Sequence, residues 1–156
     1  MSGSWSGQAV PGRAGEQPTR QDLVRVQLPS SRLLVTLHEG GPLEYLDVRS
    51  TVDPAQALLL PLPVPPAIDG ISLETRLSRL YALPWALAYG RGVLPAGASV
   101  AFSTGTVRFR RTVRSSPVQL GQGCWVADVE GLFATAAVVV DGVVTARAAL
   151  ADHWAP

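Results

Sequence analysis

Two carboxylates and a glycine near the middle of the sequence are candidates for hydrolytic chemistry. Gly70 directly follows Asp69, and Glu74 comes four residues after Gly70. A carboxylate can orient or activate water, and an N–H such as that of Gly70 at a helix start can stabilise an oxyanion. Both carboxylates also suit structural roles, Asp69 as an N-cap and Glu74 as a first-turn partner of the helix dipole. The catalytic and the structural interpretations both stay open.

Four arginines lie close together in the second half of the sequence: Arg108, Arg110, Arg111 and Arg114. The alternation from Thr106 to Val113 predicts a strand that carries most of these arginines on one side. Guanidinium groups bind phosphates and carboxylates through paired N–H donors. The arginines therefore suit a phosphate group or an acidic protein surface, and a solvated strand edge is the alternative.

The other residues with reactive side chains give weaker signals. His38 and His153 are the two histidines, and both lie far in sequence from Asp69. Cys124 is the single cysteine, so an intrachain disulfide or a cysteine-based metal site is excluded. The sequence contains no glycine-rich phosphate loop, zinc-ligand spacing or Ser-His-Asp pattern. We therefore expect no cofactor and no metal.

Length and composition indicate a globular chain. The sequence has 156 residues, of which 47% are hydrophobic and 16% charged. We expect a flexible tail over residues 1–20 and a single domain over residues 21–156. The net charge of +1 argues against a general nucleic-acid binder. With no secretory signal and no apolar run of the ~18 residues that a membrane span needs, the expectation is a soluble cytoplasmic protein without membrane contact.

The clearest local signal is a hairpin near the end of the chain. Asp141-Gly142 supplies the two positive-φ positions of a type I′ turn, and β-branched residues flank it. This turn predicts that Val140 pairs with Val143 and Val138 with Thr145. One face of the ribbon is then almost wholly apolar, which suits close packing against a helix. Its members are Phe133, Thr135, Ala137, Val139, Val144, Ala146, Ala148 and Leu150.

The elements before this hairpin are strands around one predicted helix. Leu73, Leu77, Leu80 and Tyr81 lie at helical spacing, which predicts a helix over residues 69–81. A glycine at position 105 separates two alternating runs of opposite phase, which predicts a β-bulge there. The predicted strands are residues 24–28, 32–38, 43–48, 99–102, 106–113 and 125–129, with a stiff proline-rich connector over residues 61–66.

This order of elements resembles the hotdog-fold superfamily, which includes acyl-CoA thioesterases and dehydratases of the MaoC and FabZ types. Pro-Pro-Ala-Ile-Asp-Gly at residues 65–70, Arg-Phe-Arg-Arg within residues 106–113, and the final strands divided by Asp141-Gly142 carry the resemblance. It spans roughly residues 63–150. The resemblance implies an α+β fold, in which an antiparallel sheet wraps around one central helix, and a homodimer or dimer-based oligomer.

The resemblance also implies a function in fatty acid metabolism on acyl thioesters of coenzyme A or acyl-carrier protein. Gly70 would polarise the thioester carbonyl, and Asp69 or Glu74 would handle water. Arg108, Arg110 and Arg111 would bind the phosphates of coenzyme A or the acidic face of the carrier protein. Because the helix start lacks a histidine, a thioesterase-like hydrolase is expected rather than a dehydratase. The alternative is a non-catalytic hotdog-like or β-rich module that binds an acyl ligand or a partner protein.

Overall fold

The computed structural model describes residues 24–52, 57–64, 71–78, 84–105, 108–121 and 123–151, and every regular element in these ranges is a β-strand. The strands form three antiparallel sheets of four strands each. Sheet A contains β1 (Val24–Gln27), β2 (Leu33–His38), β3 (Tyr45–Ser50) and β4 (Ala57–Pro61), in that spatial order. Sheet B has the order β5 (Glu74–Ser78), β6 (Trp85–Arg91), β10 (Cys124–Glu130) and β9 (Val118–Leu120). Sheet C has the order β12 (Val143–Ala149), β11 (Thr135–Val140), β7 (Ser99–Thr104) and β8 (Arg111–Ser115).

Sheet B is the middle layer of the molecule. The first six residues of both β6 and β10 are buried, whichever face they belong to. Trp85, Leu87 and Tyr89 pack with residues of sheet A, whereas the intervening Ala86 and Ala88 pack with residues of sheet C. Since successive side chains of a strand point to opposite faces, sheets A and C must cover the two faces of sheet B.

Two hydrophobic cores result from this layering. The first core lies between sheets A and B, and its buried members are Leu28, Leu33, Val35, Leu37, Leu46, Val48, Leu60, Trp85, Leu87, Tyr89, Leu120, Cys124 and Val126. The second core lies between sheets B and C, and its buried members are Leu77, Ala86, Ala88, Val100, Phe102, Trp125, Ala127, Val129, Phe133, Ala136 and Val138.

Small residues on β6 make room for a large one in the second core. Gly90 pairs with Trp125 in the ladder between β6 and β10. A Cβ atom on Gly90 would lie 1.8 Å from the backbone oxygen of Ser72 and 3.0 Å from the Trp125 ring. Only glycine therefore fits here without moving the segment before β5.

Polar contacts connect the layers at their margins. The Asp128 carboxylate, on the buried sheet A side of β10, accepts N–H hydrogen bonds from Ser30 (3.0 Å) and Ser31 (2.5 Å). Between sheets B and C, the Thr75 hydroxyl donates to the Ala149 carbonyl oxygen at 2.6 Å and accepts the Ala151 N–H at 3.2 Å. These contacts fix the order of the three sheets.

The expected α+β hotdog architecture is wrong. Residues 74–78 of the expected helix form the strand β5, and no helix is present in the described residues. The physical reason is that Ile71, Leu73, Thr75 and Leu77 alternate with polar residues, and this period of two decides the conformation. Residues 69–70 and 79–81 of the predicted helix lie outside the described residues.

The expected strand over residues 106–113 is also partly wrong, and the expected β-bulge at Gly105 is wrong. Gly105 lies in the turn between β7 and β8 with φ = 80°, and β8 begins only at Arg111. A Cβ on Gly105 would lie 2.6 Å from the Phe109 backbone oxygen, so the turn closes tightly around this glycine. The Phe109 side chain is 83% exposed, unlike a residue on a core-facing strand.

The final hairpin is confirmed near its turn and wrong further along. Asp141 and Gly142 have φ values of 50° and 79°, and Val140 pairs with Val143. Val138 pairs with Ala146 instead of Thr145, because a β-bulge adds one residue to β12 at this point. Because of the bulge, Ala146 and Leu150 face the second core together with Val138. The predicted register placed them on the same face as Val139 instead.

The other predicted strands in the first and last thirds of the chain are confirmed, with ends shifted by one or two residues. The proline-rich segment begins at the end of β4, an edge strand of sheet A, which is where proline is tolerated. Within the described residues, no helix has the length and apolarity to cross a membrane.

Candidate functional site

The charges of the chain are unevenly distributed along its sequence. No aspartate or glutamate occurs from residue 75 to residue 127, yet seven arginines do. They are Arg76, Arg79, Arg91, Arg108, Arg110, Arg111 and Arg114. Four of them, Arg108, Arg110, Arg111 and Arg114, come from one short segment and give its surroundings a positive field, although the whole chain is nearly neutral.

The arginine hairpin, residues 108–114, is where this charge is most concentrated. Arg108, Arg110, Arg111 and Arg114 are all exposed, and Phe109 extends between the first two. Within the described part of the chain, none of the four forms an ion pair, whereas Arg91 pairs with Glu44 and Arg49 with Asp47. Free guanidinium groups beside an exposed aromatic ring are typical of protein-binding surfaces.

The outer face of sheet C continues this positive surface. Val100, Phe102 and Val113 point into the second core, so their neighbours Ala101, Ser103, Thr112 and Arg114 point outward. The register places Arg114 opposite Ala101, Ala101 opposite Ala137, and Ala137 opposite Arg147. Two arginines thus stand at the two edges of a row whose middle members, Ala101 and Ala137, are only 8% and 6% exposed, and the arginine Cα atoms are about 14 Å apart because three strand spacings separate them.

A row of hydroxyl groups crosses the same face next to this arginine row. Thr112 pairs with Ser103, and Ser103 pairs with Thr135, on three adjacent strands. The Ser103 and Thr112 hydroxyl oxygens are 3.0 Å apart, and a guanidinium N–H of Arg110 donates to Ser103 at 3.3 Å. Arg110 is therefore held over the hydroxyl row. The two rows and the arginine hairpin that borders them are called the arginine face below, and within it Arg111, two residues before Val113, extends from the β8 edge on the other side of the strand from Arg114.

The outer face of sheet A has a different character. Its Arg49 donates to both carboxylate oxygens of Asp47, and Arg25 donates to the Thr36 hydroxyl at 3.2 Å. The pairing with Asp47 raises the pKa of Arg49, which stays charged. Because Arg49 is paired with Asp47 here, the two outer faces of one molecule provide a natural comparison.

The predicted catalytic residues are not assembled into a site by the described structure. Glu74 is exposed at the start of β5, an edge of sheet B that contacts β12. The arginine hairpin lies at the opposite edge of sheet C, beyond β11 and β7. Asp69 and Gly70 lie outside the described residues. Arg108, Arg110 and Arg111 all lie in the arginine hairpin, and their role in substrate binding stays a prediction.

The remaining reactive side chains have structural surroundings. His38 stacks on Tyr45 with 4.5 Å between ring centroids, beside an open cleft of about 270 Å³ that Glu39 and Leu43 also line. Burial raises the pKa of the Cys124 thiol to about 12, so this thiol stays protonated near neutral pH. Among the described residues, no group of histidine, cysteine and carboxylate side chains could hold a metal ion.

Comparison with known proteins gives no family. No protein-family model, curated protein or solved structure matches the chain. The arginine face is therefore the feature of the molecule from which a function can be inferred.

The sequence indicated the group of four arginines, expected on a strand over residues 106–113, but not the rest of the face. Ser103, Thr135 and Arg147 lie 12 to 44 residues apart in the sequence, and only the order of sheet C brings them together. The one available signal was the apolar alternation of β7 and β11, which places the intervening small and hydroxyl residues on the outer face.

Proposed function

We propose that this protein is a non-catalytic, β-rich module that binds an acidic partner protein through its arginine face. The observation that carries the proposal is the set of four exposed hairpin arginines without an ion pair in the described residues. Guanidinium groups placed at both edges of a face bind carboxylates in pairs and fix the orientation of the partner. The exposed Phe109 ring supplies an apolar anchor beside these charges.

The expected thioesterase activity stays an untested prediction, but its structural basis is weaker. It required a helix start at Asp69 with Gly70 and Glu74 nearby, and residues 74–78 belong to a strand. An exposed carboxylate on a strand has no helix N-terminus to stabilise an oxyanion beside it. The binding module was the alternative from sequence, and the arginine face favours it.

The proposal is tested with a 20-residue polyglutamate peptide as the acidic probe. The variant Arg111→Gln/Arg114→Gln removes two charges from the arginine face, and Arg25→Gln/Arg49→Gln removes two from the outer face of sheet A. Each lost guanidinium–carboxylate contact costs about 0.5–1 kcal/mol at an exposed site. We therefore expect roughly tenfold weaker binding for the first variant and a change below twofold for the second, measured by isothermal titration calorimetry.

Salt and competing activities complete this test. Wild-type affinity should fall as ionic strength rises from 0.05 to 0.3 M, since exposed charges are screened over about 10 Å at 0.1 M. Equal losses in the two variants would show that net charge alone matters and would contradict the proposal. So would tighter binding of duplex DNA than of the peptide, or turnover of an acyl-CoA panel that Glu74→Gln abolishes.

A further inference from the structure

The arginine face contains one arginine that is held in place. Arg108, Arg111 and Arg114 extend from the hairpin without a hydrogen-bond partner among the described residues, whereas Arg110 donates to the Ser103 hydroxyl. Ser103 is only 5% exposed and sits in β7, an inner strand of sheet C. A rigid residue thus fixes the guanidinium of Arg110 above the hydroxyl row, which reduces the entropy that it loses on binding a ligand.

The hydroxyl row has hydrogen-bond donors that are not used among the described residues. Ser103 and Thr112 together have two hydroxyl protons, and one of them is used in the 3.0 Å contact between the two oxygens. Whichever residue donates, the other hydroxyl proton is left for a ligand. Thr135, the neighbour of Ser103 on β11, has no hydrogen bond from its hydroxyl within the described residues.

The strands of sheet C around this row carry donors and, among the described residues, no carboxylate. Arg110 keeps N–H groups that Ser103 does not use, and Arg114 stands on the same face two residues beyond Thr112. The nearest carboxylate in sheet C is Asp141, in the turn at the opposite end of β11 from Thr135. About five residues of strand, roughly 17 Å, separate the two ends. A group with several acceptor oxygens and more than one negative charge matches this set.

We infer that Arg110, Ser103, Thr112 and Thr135 form a binding site for a phosphoryl group carried by the acidic partner protein. The inference rests on the proposed function and names the ligand chemistry of the same face. A phosphate monoester offers three acceptor oxygens and a charge of about −1.5 to −2 at pH 7. Arg110 is the ligand-binding cation, the spare hydroxyl protons donate to the other oxygens, and Ser103 also positions Arg110.

The experiment uses three 12-residue peptides that share five glutamates and differ in one central residue, which is serine, glutamate or phosphoserine. We expect the wild-type chain to bind the phosphoserine peptide at least tenfold more tightly than the glutamate peptide. Arg110→Gln should reduce this preference to below twofold, and Thr112→Val should reduce it several-fold. Thr112 is exposed, so its variant keeps the fold. Thr51→Val, which removes an exposed hydroxyl from the turn after β3, is the matched control and should keep the preference.

The variant Arg111→Gln/Arg114→Gln separates this inference from the proposed function. It should weaken all three peptides together and leave the preference for phosphoserine intact. Equal binding of the glutamate and phosphoserine peptides by the wild type overturns the phosphoryl site while the acidic-partner function stands. If none of the three peptides binds to the wild type or to the double variant, the proposed function itself is wrong, and the phosphoryl site is wrong with it.

Inorganic ions identify the oxyanion. Inorganic phosphate should compete with the phosphoserine peptide, and more strongly at pH 7.5 than at pH 5, because its second ionisation lies between these two pH values. Sulfate is fully ionised at both pH values. Competition by sulfate equal to that of phosphate at pH 7.5 would overturn the assignment to a phosphoryl group.

Discussion

Asp128 shows how single residues specify the packing of one sheet on another. The residue is 2% exposed, and a carboxyl group with so little water needs hydrogen-bond partners. The N–H groups of Ser30 and Ser31 supply them and hold the turn between β1 and β2 against sheet B. Nothing in the local sequence of β10 distinguished Asp128 from an exposed aspartate, because its partners lie almost a hundred residues earlier.

Two titratable groups in the first core make the stability of the chain sensitive to alkaline pH. Burial raises the pKa of the Cys124 thiol to about 12 and also that of the Tyr89 hydroxyl to about 12. Their unfolded-state pKa values are 9.0 and 10.0. The unfolded chain therefore releases these protons first, and the stabilisation present below pH 9 is lost as pH rises toward 12.

We expect the free energy of unfolding to fall by roughly 2 kcal/mol between pH 9 and pH 11 from the thiol alone. Urea unfolding at pH 8, 9, 10 and 11 measures this slope. Cys124→Ala and Tyr89→Phe each remove one titrating group and should each make the slope shallower. An unchanged slope in both variants would mean that these groups are not responsible for the alkaline loss.

Among the elements, β5 shows why sequence reasoning failed in the middle of the chain. Leu73 and Leu77 fit a helix, because residues four apart share a helical face, but they fit a strand equally well because four is an even number. Thr75 distinguishes the two conformations. A helix would place it away from the leucines, whereas the strand buries it with them, at 3% exposure.

The burial of Thr75 in β5 can be tested directly by mutation. Thr75→Val keeps the shape of the side chain and removes the hydroxyl that bonds Ala149 and Ala151. We expect a loss of about 1–3 kcal/mol in the free energy of unfolding, since two hydrogen bonds of a buried hydroxyl are lost. Thr145→Val, which removes an exposed hydroxyl with one long hydrogen bond of 3.3 Å to the Val138 carbonyl oxygen, is the control and should change stability by about 0.5 kcal/mol or less. Equal effects would argue against a buried Thr75.

Strands farther from β5 along the chain were easier to predict than their arrangement. Short alternating runs bounded by glycine and proline identified β1, β2 and β7, and Asp141-Gly142 identified the turn after β11. The bulge in β12 left no signal, because the extra residue, Thr145, suits either face of a strand. The type I′ turn determines which residues pair only as far as the first bulge. The side chains of β12 beyond Val144 therefore lie on the opposite faces from those predicted.

At the scale of the whole molecule, the three layers follow from two continuous apolar runs. Residues 85–90 and 124–127 have no charged side chain, as is typical of strands that are buried on both faces. That pattern was present in the sequence, but a buried helix segment gives the same one. The sheet order assembled the arginine face from strands of sheet C that are distant in sequence, and this order could not be predicted from local patterns.

Because sheet B contributes to both cores, we expect the three layers to unfold in one cooperative transition. Trp85 faces the first core and Trp125 the second, so the chain contains one fluorescent reporter in each. In a background with Trp5→Phe and Trp154→Phe, the variants Trp85→Phe and Trp125→Phe each leave a single core tryptophan. Within each variant, the fluorescence and far-UV circular dichroism transitions in urea should have the same midpoint. Because both are measured on the same variant, a stability change caused by the substitution shifts both transitions equally. A fluorescence transition that precedes the circular dichroism transition in one variant only would mean that the corresponding core opens separately and that sheet B does not couple the layers.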